Sequence, residues 1–103
     1  SYGVVSIDFT EANLAEADLS GSELTVEGNS TANKAGATIL FTEANLAHAD
    51  LRGWRLTADT DQNEEGDAII DFTKANLAFA DLSGSELEAD VYLYAKIDFS
   101  EAN

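Results

Sequence analysis

The chain has 103 residues, with 20 Asp plus Glu against 5 Lys plus Arg and a formal net charge of −15; this length bounds it to one domain, and this charge repels nucleic acid and anionic lipid. It has no Cys and one His, which excludes a disulfide framework, a thiolate nucleophile and any Cys-ligated or multi-His metal site. At 45% hydrophobic residues it holds enough apolar surface for a core, whereas no apolar run reaches the roughly 20 residues of a membrane span, so membrane insertion is not expected.

In chain order, Gly3-Val4-Val5-Ser6-Ile7 reads as a strand after a glycine turn. It leads into DFTEANLAEADLSGSEL at 8–24, which returns as LFTEANLAHADLRGWRL at 40–56 and DFTKANLAFADLSGSEL at 71–87. The stretches before the second and third copies, Gly36-Ala37-Thr38-Ile39 and Gly66-Asp67-Ala68-Ile69-Ile70, repeat the glycine-then-strand pattern. The last residues, YLYAKIDFSEAN at 92–103, match 2–13 at seven of twelve positions, a second period of 90 residues. With no Met and a start at Ser1, the chain reads as a processed product or a piece of something longer.

Within each copy a large apolar residue recurs every fifth position: Phe9, Leu14, Leu19, Leu24; Phe41, Leu46, Leu51, Leu56; Phe72, Leu77, Leu82, Leu87; and Phe99 opens a fourth set. Most have a small residue two positions earlier, such as Ala12, Ala17 and Ser22. On an α-helix five steps advance about 140° beyond a full turn, so the leucines would smear around the cylinder. On a straight strand they would alternate faces. A chain that turns a corner every five residues sends them all to one axis.

Ala12-Asn13-Leu14, Ala17-Asp18-Leu19, Ala44-Asn45-Leu46, Ala49-Asp50-Leu51, Ala75-Asn76-Leu77 and Ala80-Asp81-Leu82 resemble the A(D/N)LXX unit of the pentapeptide-repeat proteins. The resemblance implies an all-β fold, a right-handed quadrilateral β-helix of about three coils plus a partial fourth, with coils stacked about 4.8 Å apart. The successive Phe spacings of 32, 31 and 27 residues exceed a regular four-sided coil. The reading is therefore one solenoid domain over 1–103, with coils near 7–26, 39–58, 70–89 and 97–103. Insertions at 27–38, 59–69 and 90–96 project from one corner. No capping segment is evident, so both coil faces are expected to be open.

Stacking turns equivalent positions into columns. Asn13, Asn45, Asn76 and Asn103 are expected to bond through their amides along the stack. Asp18, Asp50 and Asp81 form a carboxylate column, in which like charges at strand spacing are expected to raise one another's pKa. Glu23, Arg55 and Glu86 alternate in sign and set the register. Gly21, Gly53 and Gly84 mark a corner needing φ > 0 or close packing. His48, between Glu16 and Phe79, reads as an exposed or ion-paired side chain. Trp54 shares its column with Ser22 and Ser85 and is expected to swing out as a plug beneath the insertions, with a partner-facing hot spot as the alternative.

Two insertion motifs stand apart. Asp59, Asp61, Asn63 and Asp67 offer an oxygen-ligand set for calcium, the alternative being a solvated acidic loop. Asn29-Ser30-Thr31 is a glycosylation sequon. No catalytic constellation and no other cofactor site is present, so the chain is not read as an enzyme. The functional expectation is a structural module that stacks head to tail with itself in an extracellular or cell-surface filament or array. The alternative comes from the family resemblance: some pentapeptide-repeat proteins mimic B-DNA and bind DNA gyrase, which would make gyrase the partner.

Overall fold

The computed structural model describes residues 3–28, 35–60, 67–90, 94–98 and 102. Among them there is no helix, and seven strands appear: β1 (Gly3–Asp8), β2 (Glu23–Gly28), β3 (Ala35–Leu40), β4 (Arg55–Thr60), β5 (Asp67–Asp71), β6 (Glu86–Asp90) and β7 (Tyr94–Asp98). They form two wholly parallel sheets, β1-β3-β5-β7 and β2-β4-β6. Every pairing skips one strand in sequence, so the chain crosses from one sheet to the other and returns one strand-spacing further along. The register offsets, Phe-to-Phe in the sequence, are the same in the sheets: Ile7 meets Ile39 and Ile39 meets Ile70.

Between β1 and β2, β3 and β4, and β5 and β6 the chain turns corners instead of running straight. The carbonyl of each large apolar residue accepts the N–H three residues on, as in Phe9 to Ala12 at 2.9 Å, Leu46 to Ala49 at 3.0 Å and Leu82 to Ser85 at 3.0 Å. The third residue of each turn has positive φ: Glu11, Glu16 and Gly21 at 62°, 65° and 71°, then Glu43, His48 and Gly53, then Lys74, Phe79 and Gly84. A β-turn with φ > 0 at this position is the type II pattern. The glycine column is there for the backbone angle and not for space, because a Cβ added at Gly53 or Gly84 would lie 3.9 Å from its nearest neighbour.

The (N/D) position of the repeat has a local cause. Its side-chain oxygen accepts the N–H two residues on, from Asn13 to Ala15 at 3.2 Å, Asn45 to Ala47 at 3.1 Å, Asn76 to Ala78 at 3.0 Å and Asp81 to Ser83 at 2.9 Å. This caps an N–H inside the turn that the ladder does not reach. The amide ladder expected of the Asn column is thus replaced by these caps for Asn13 and Asn45, whose stacked contact is a backbone bridge, with Leu14 N–H to Asn45 C=O at 2.7 Å. Asn103 lies outside the described residues.

Side chains facing inward from the two sheets and the turns make one core. The copy at 40–56 is sealed, with Phe41, Leu46, Leu51, Trp54 and Leu56 all at 0–1% exposure. Phe41 stacks between Phe9 and Phe72 at centroid distances of 5.1 and 5.0 Å. The two ends differ: Phe9, Leu14, Leu19 and Leu24 on one side, and Leu77, Leu82 and Leu87 on the other, are only half-buried. Strand pairing also reaches into the residues set aside as insertions, since Glu27 and Gly28 belong to β2 and Ala35–Thr38 to β3. Alanines at 37, 58 and 68 point inward there with no exposure, small enough for the sheets to meet. Gly3 and Gly36 lie within strands, not at turns before them.

Candidate functional site

With the core inside, the chemistry of this chain lies on its outer columns and its two half-exposed ends. Asp18, Asp50 and Asp81 do stack, joined by isolated parallel bridges. Their carboxyls are nevertheless held below the usual aspartate range and not above it. Each has a side-chain donor two residues on as the main cause and the backbone N–H of the same residue as the next: Ser20 for Asp18, Arg52 for Asp50 and Ser83 for Asp81. The Ser20 hydroxyl lies 2.7 Å from Asp18 Oδ1, and Arg52 donates through Nε at 2.8 Å and Nη2 at 2.7 Å to the two oxygens of Asp50. Local donation outweighs the repulsion along the column because the donors sit at contact distance and the like charges one strand-spacing away in water.

On the β2-β4-β6 sheet the alternating column behaves as expected. Arg55 reaches Glu86 at 2.9 Å and Glu23 at 3.3 Å, one guanidinium spanning three strands. These exposed pairs fix register more than they add stability. At a corner, His48 stacks face to face on Phe79, with centroids 4.9 Å apart, and Phe79 is 83% exposed.

Trp54 departs from expectation. It does not swing out but lies fully buried, edge-on to Phe41 at 5.2 Å and to Phe72 at 6.1 Å. Ser22 and Ser85, its column neighbours, leave the volume the indole occupies, and Ser85 turns its hydroxyl to the Leu51 carbonyl at 2.6 Å. The signal was legible as small-large-small along the column; the pairing register is what converts it into space. Above Trp54 an apolar recess of about 100 Å³ opens at the first end, lined by Phe9, Leu14, Leu19, Ser22, Leu24 and Phe41.

Of the calcium candidates, Asp59 is near the end of β4 and Asp67 begins β5, in different sheets, whereas Asp61 and Asn63 lie outside the described residues. Among the described residues no three His, Asp or Glu side chains gather as a metal would require. Asn29 and Phe99 also lie outside the described residues. No described helix is long and apolar enough to cross a membrane.

The six left-handed residues that are not glycine were not foreseen from the sequence, and each carries strain of about 1 kcal/mol. Replacing Glu16 by Gly relieves that strain but adds about 0.4–1 kcal/mol of unfolded-chain entropy, so the urea-derived stability is expected to change by less than about 0.6 kcal/mol; a loss of more than about 1 kcal/mol counts against a left-handed backbone there.

A family model described as pentapeptide repeats matches the chain in eight copies, with residues 6–25 matched. No curated protein matches it.

Proposed function

As a chain of the pentapeptide-repeat family, the protein is, we propose, a non-enzymatic structural module, a right-handed quadrilateral coil of about three turns plus a partial fourth. Copies stack head to tail in an extracellular or cell-surface array. One observation carries this reading: among the described residues the middle copy is sealed, while the same ladder positions in the first and third copies leave their leucines half-exposed. Each half-exposed leucine recovers up to about 1 kcal/mol when covered, and a parallel ladder is the arrangement this backbone already repeats. Head-to-tail contact continues that parallel pairing, whereas two copies related by a two-fold axis would meet antiparallel.

Sedimentation velocity over a range of protein and salt concentrations tests it, because 15 net negative charges per copy oppose association at low salt. Association is expected to grow with salt and to be lost when Leu14→Lys and Leu77→Lys are combined. Circular dichroism on the variant separates lost stacking from lost folding. A wild-type chain that remains monomeric at every concentration and salt level defeats the proposal.

A further inference from the structure

The left-handed turn positions divide the outer surface into sides, and one side differs from its neighbours in charge. Between the turn column Glu11, Glu43 and Lys74 and the next one, Glu16, His48 and Phe79, each copy turns outward an Asn, at 13, 45 and 76, and an Ala, at 15, 47 and 78. With the turn column that closes it, this side holds a single Asp, Glu, Lys or Arg, namely Glu16. The following side has Asp18, Asp50 and Asp81 in place of the three Asn, and the β2-β4-β6 sheet faces outward with Glu23, Glu27, Asp59, Glu86 and Glu88.

The fold does not impose this contrast. Asn and Asp cap the turn equally, accepting the N–H two residues on at 3.0–3.2 Å for Asn and 2.9–3.2 Å for Asp, yet one side takes the neutral residue in all three copies and the next the charged one. The closing turn adds aromatic surface. His48 and Phe79 stack at 4.9 Å, and Phe79 is 83% exposed in a left-handed backbone that disfavours bulky residues. That exposure belongs to the turn position and not to the place in the stack, because His48, with a column neighbour on each side, is exposed as well.

We propose that this neutral side is a lateral contact on which a second copy of the chain docks, side against side. A chain of net charge −15 meets its own carboxylates when a copy approaches the Asp column or the β2-β4-β6 sheet, and is spared most of that repulsion here. Amide side chains carry both donors and acceptors, so facing Asn columns are self-complementary. About a two-fold axis along the stack the two borders meet crosswise. Lys74 of each copy comes level with Phe79 of the other, a cation beside a ring, and Glu43 with His48, leaving Glu11 and Glu16 as the like charges. Three rows at strand spacing offer roughly 150 Å² per copy, against about 800 Å² per partner in a stable pair. A single pair is therefore brief, and the contact gains strength as rows add along a stack, in which respect it rests on the head-to-tail reading.

Because the chain has no Cys, single-cysteine variants of the full chain probe the contact directly. Ala47→Cys places a thiol on the neutral side; Thr42→Cys and Thr57→Cys, half-buried like Ala47 and in the same copy, place one on the preceding side and on β4. The rate of disulfide-linked dimer formation, divided by the rate at which iodoacetamide alkylates the same thiol, is followed in about 1 M NaCl, where charge alone no longer sorts the sides. Sedimentation velocity on the reduced samples reports stacking. Ala47→Cys is expected to dimerise at least about fivefold faster than either control, and adding Phe79→Ser, which changes no charge, is expected to slow it at least about threefold. Equal normalised rates at the three positions, or a rate indifferent to Phe79→Ser, overturn the proposal. A chain that stacks with equal rates keeps the head-to-tail reading and loses the lateral contact; a chain that stays monomeric while Ala47→Cys keeps its lead does the reverse.

Discussion

Replacing Trp54 by Ala is expected to cost about 3–5 kcal/mol of stability, among the largest losses for any single change in this chain. The indole is 1% exposed, meets the rings of Phe41 and Phe72, and has serines above and below in its column, so no large neighbour is placed to fill the hole. The vacated volume would merge with the recess at the first end, admitting water beside Phe9 and Leu24. Leu19→Ala, in an end copy where the side chain is half-buried, is expected to cost about half as much as Leu51→Ala, where it is sealed. Urea unfolding of the three variants measures both statements. A Trp54→Ala loss below about 1 kcal/mol, the behaviour of a surface tryptophan, would show that the indole is not where the structure puts it.

Stability is expected to rise and then fall as pH is lowered. From pH 7 toward the sequence pI of about 4.1 the self-repulsion of a −15 chain relaxes, which favours the compact state. Below that a second effect takes over. Asp8, Asp18, Asp50 and Asp81 have folded-state pKa values below the ordinary aspartate value, so their contribution is present above it and is lost as pH falls through the lowered values. The cause is the donors two residues on: Thr10, Ser20, Arg52 and Ser83. Replacing Asp18 and Asp81 together by Asn keeps the oxygen that caps the turn, as Asn13 and Asn45 do, but removes the titration. The double variant is therefore expected to lose less stability between pH 4 and pH 2 than the parent. Urea midpoints across pH 7 to 2 decide it, and a parent whose stability keeps rising to pH 2 contradicts the lowered pKa values.

Much of this architecture was legible because its cause is local and repeated. A large apolar residue every fifth position admits neither a helix nor a straight strand, and the offsets of 32 and 31 residues between copies are the offsets of the paired strands. The Glu23, Arg55 and Glu86 column was readable on the same ground, since register alone makes those charges neighbours. The pKa of the Asp column was not. Spacing puts the like charges together, but only the turn geometry brings Ser20, Arg52 and Ser83 back onto the carboxylates.

The amino-acid sequence by itself determined the five-residue turn, the inward set of Phe and Leu and the acidity of the outer columns, because each depends on residues no more than a few positions apart or on exact repetition. The tertiary structure alone decided the fate of Trp54, whose space exists only once Ser22 and Ser85 are stacked on either side of it. It likewise decided how the described strands divide, four in one parallel sheet and three in the other. Both depend on which strand lies beside which, a property of the assembled ladder and not of any segment within it.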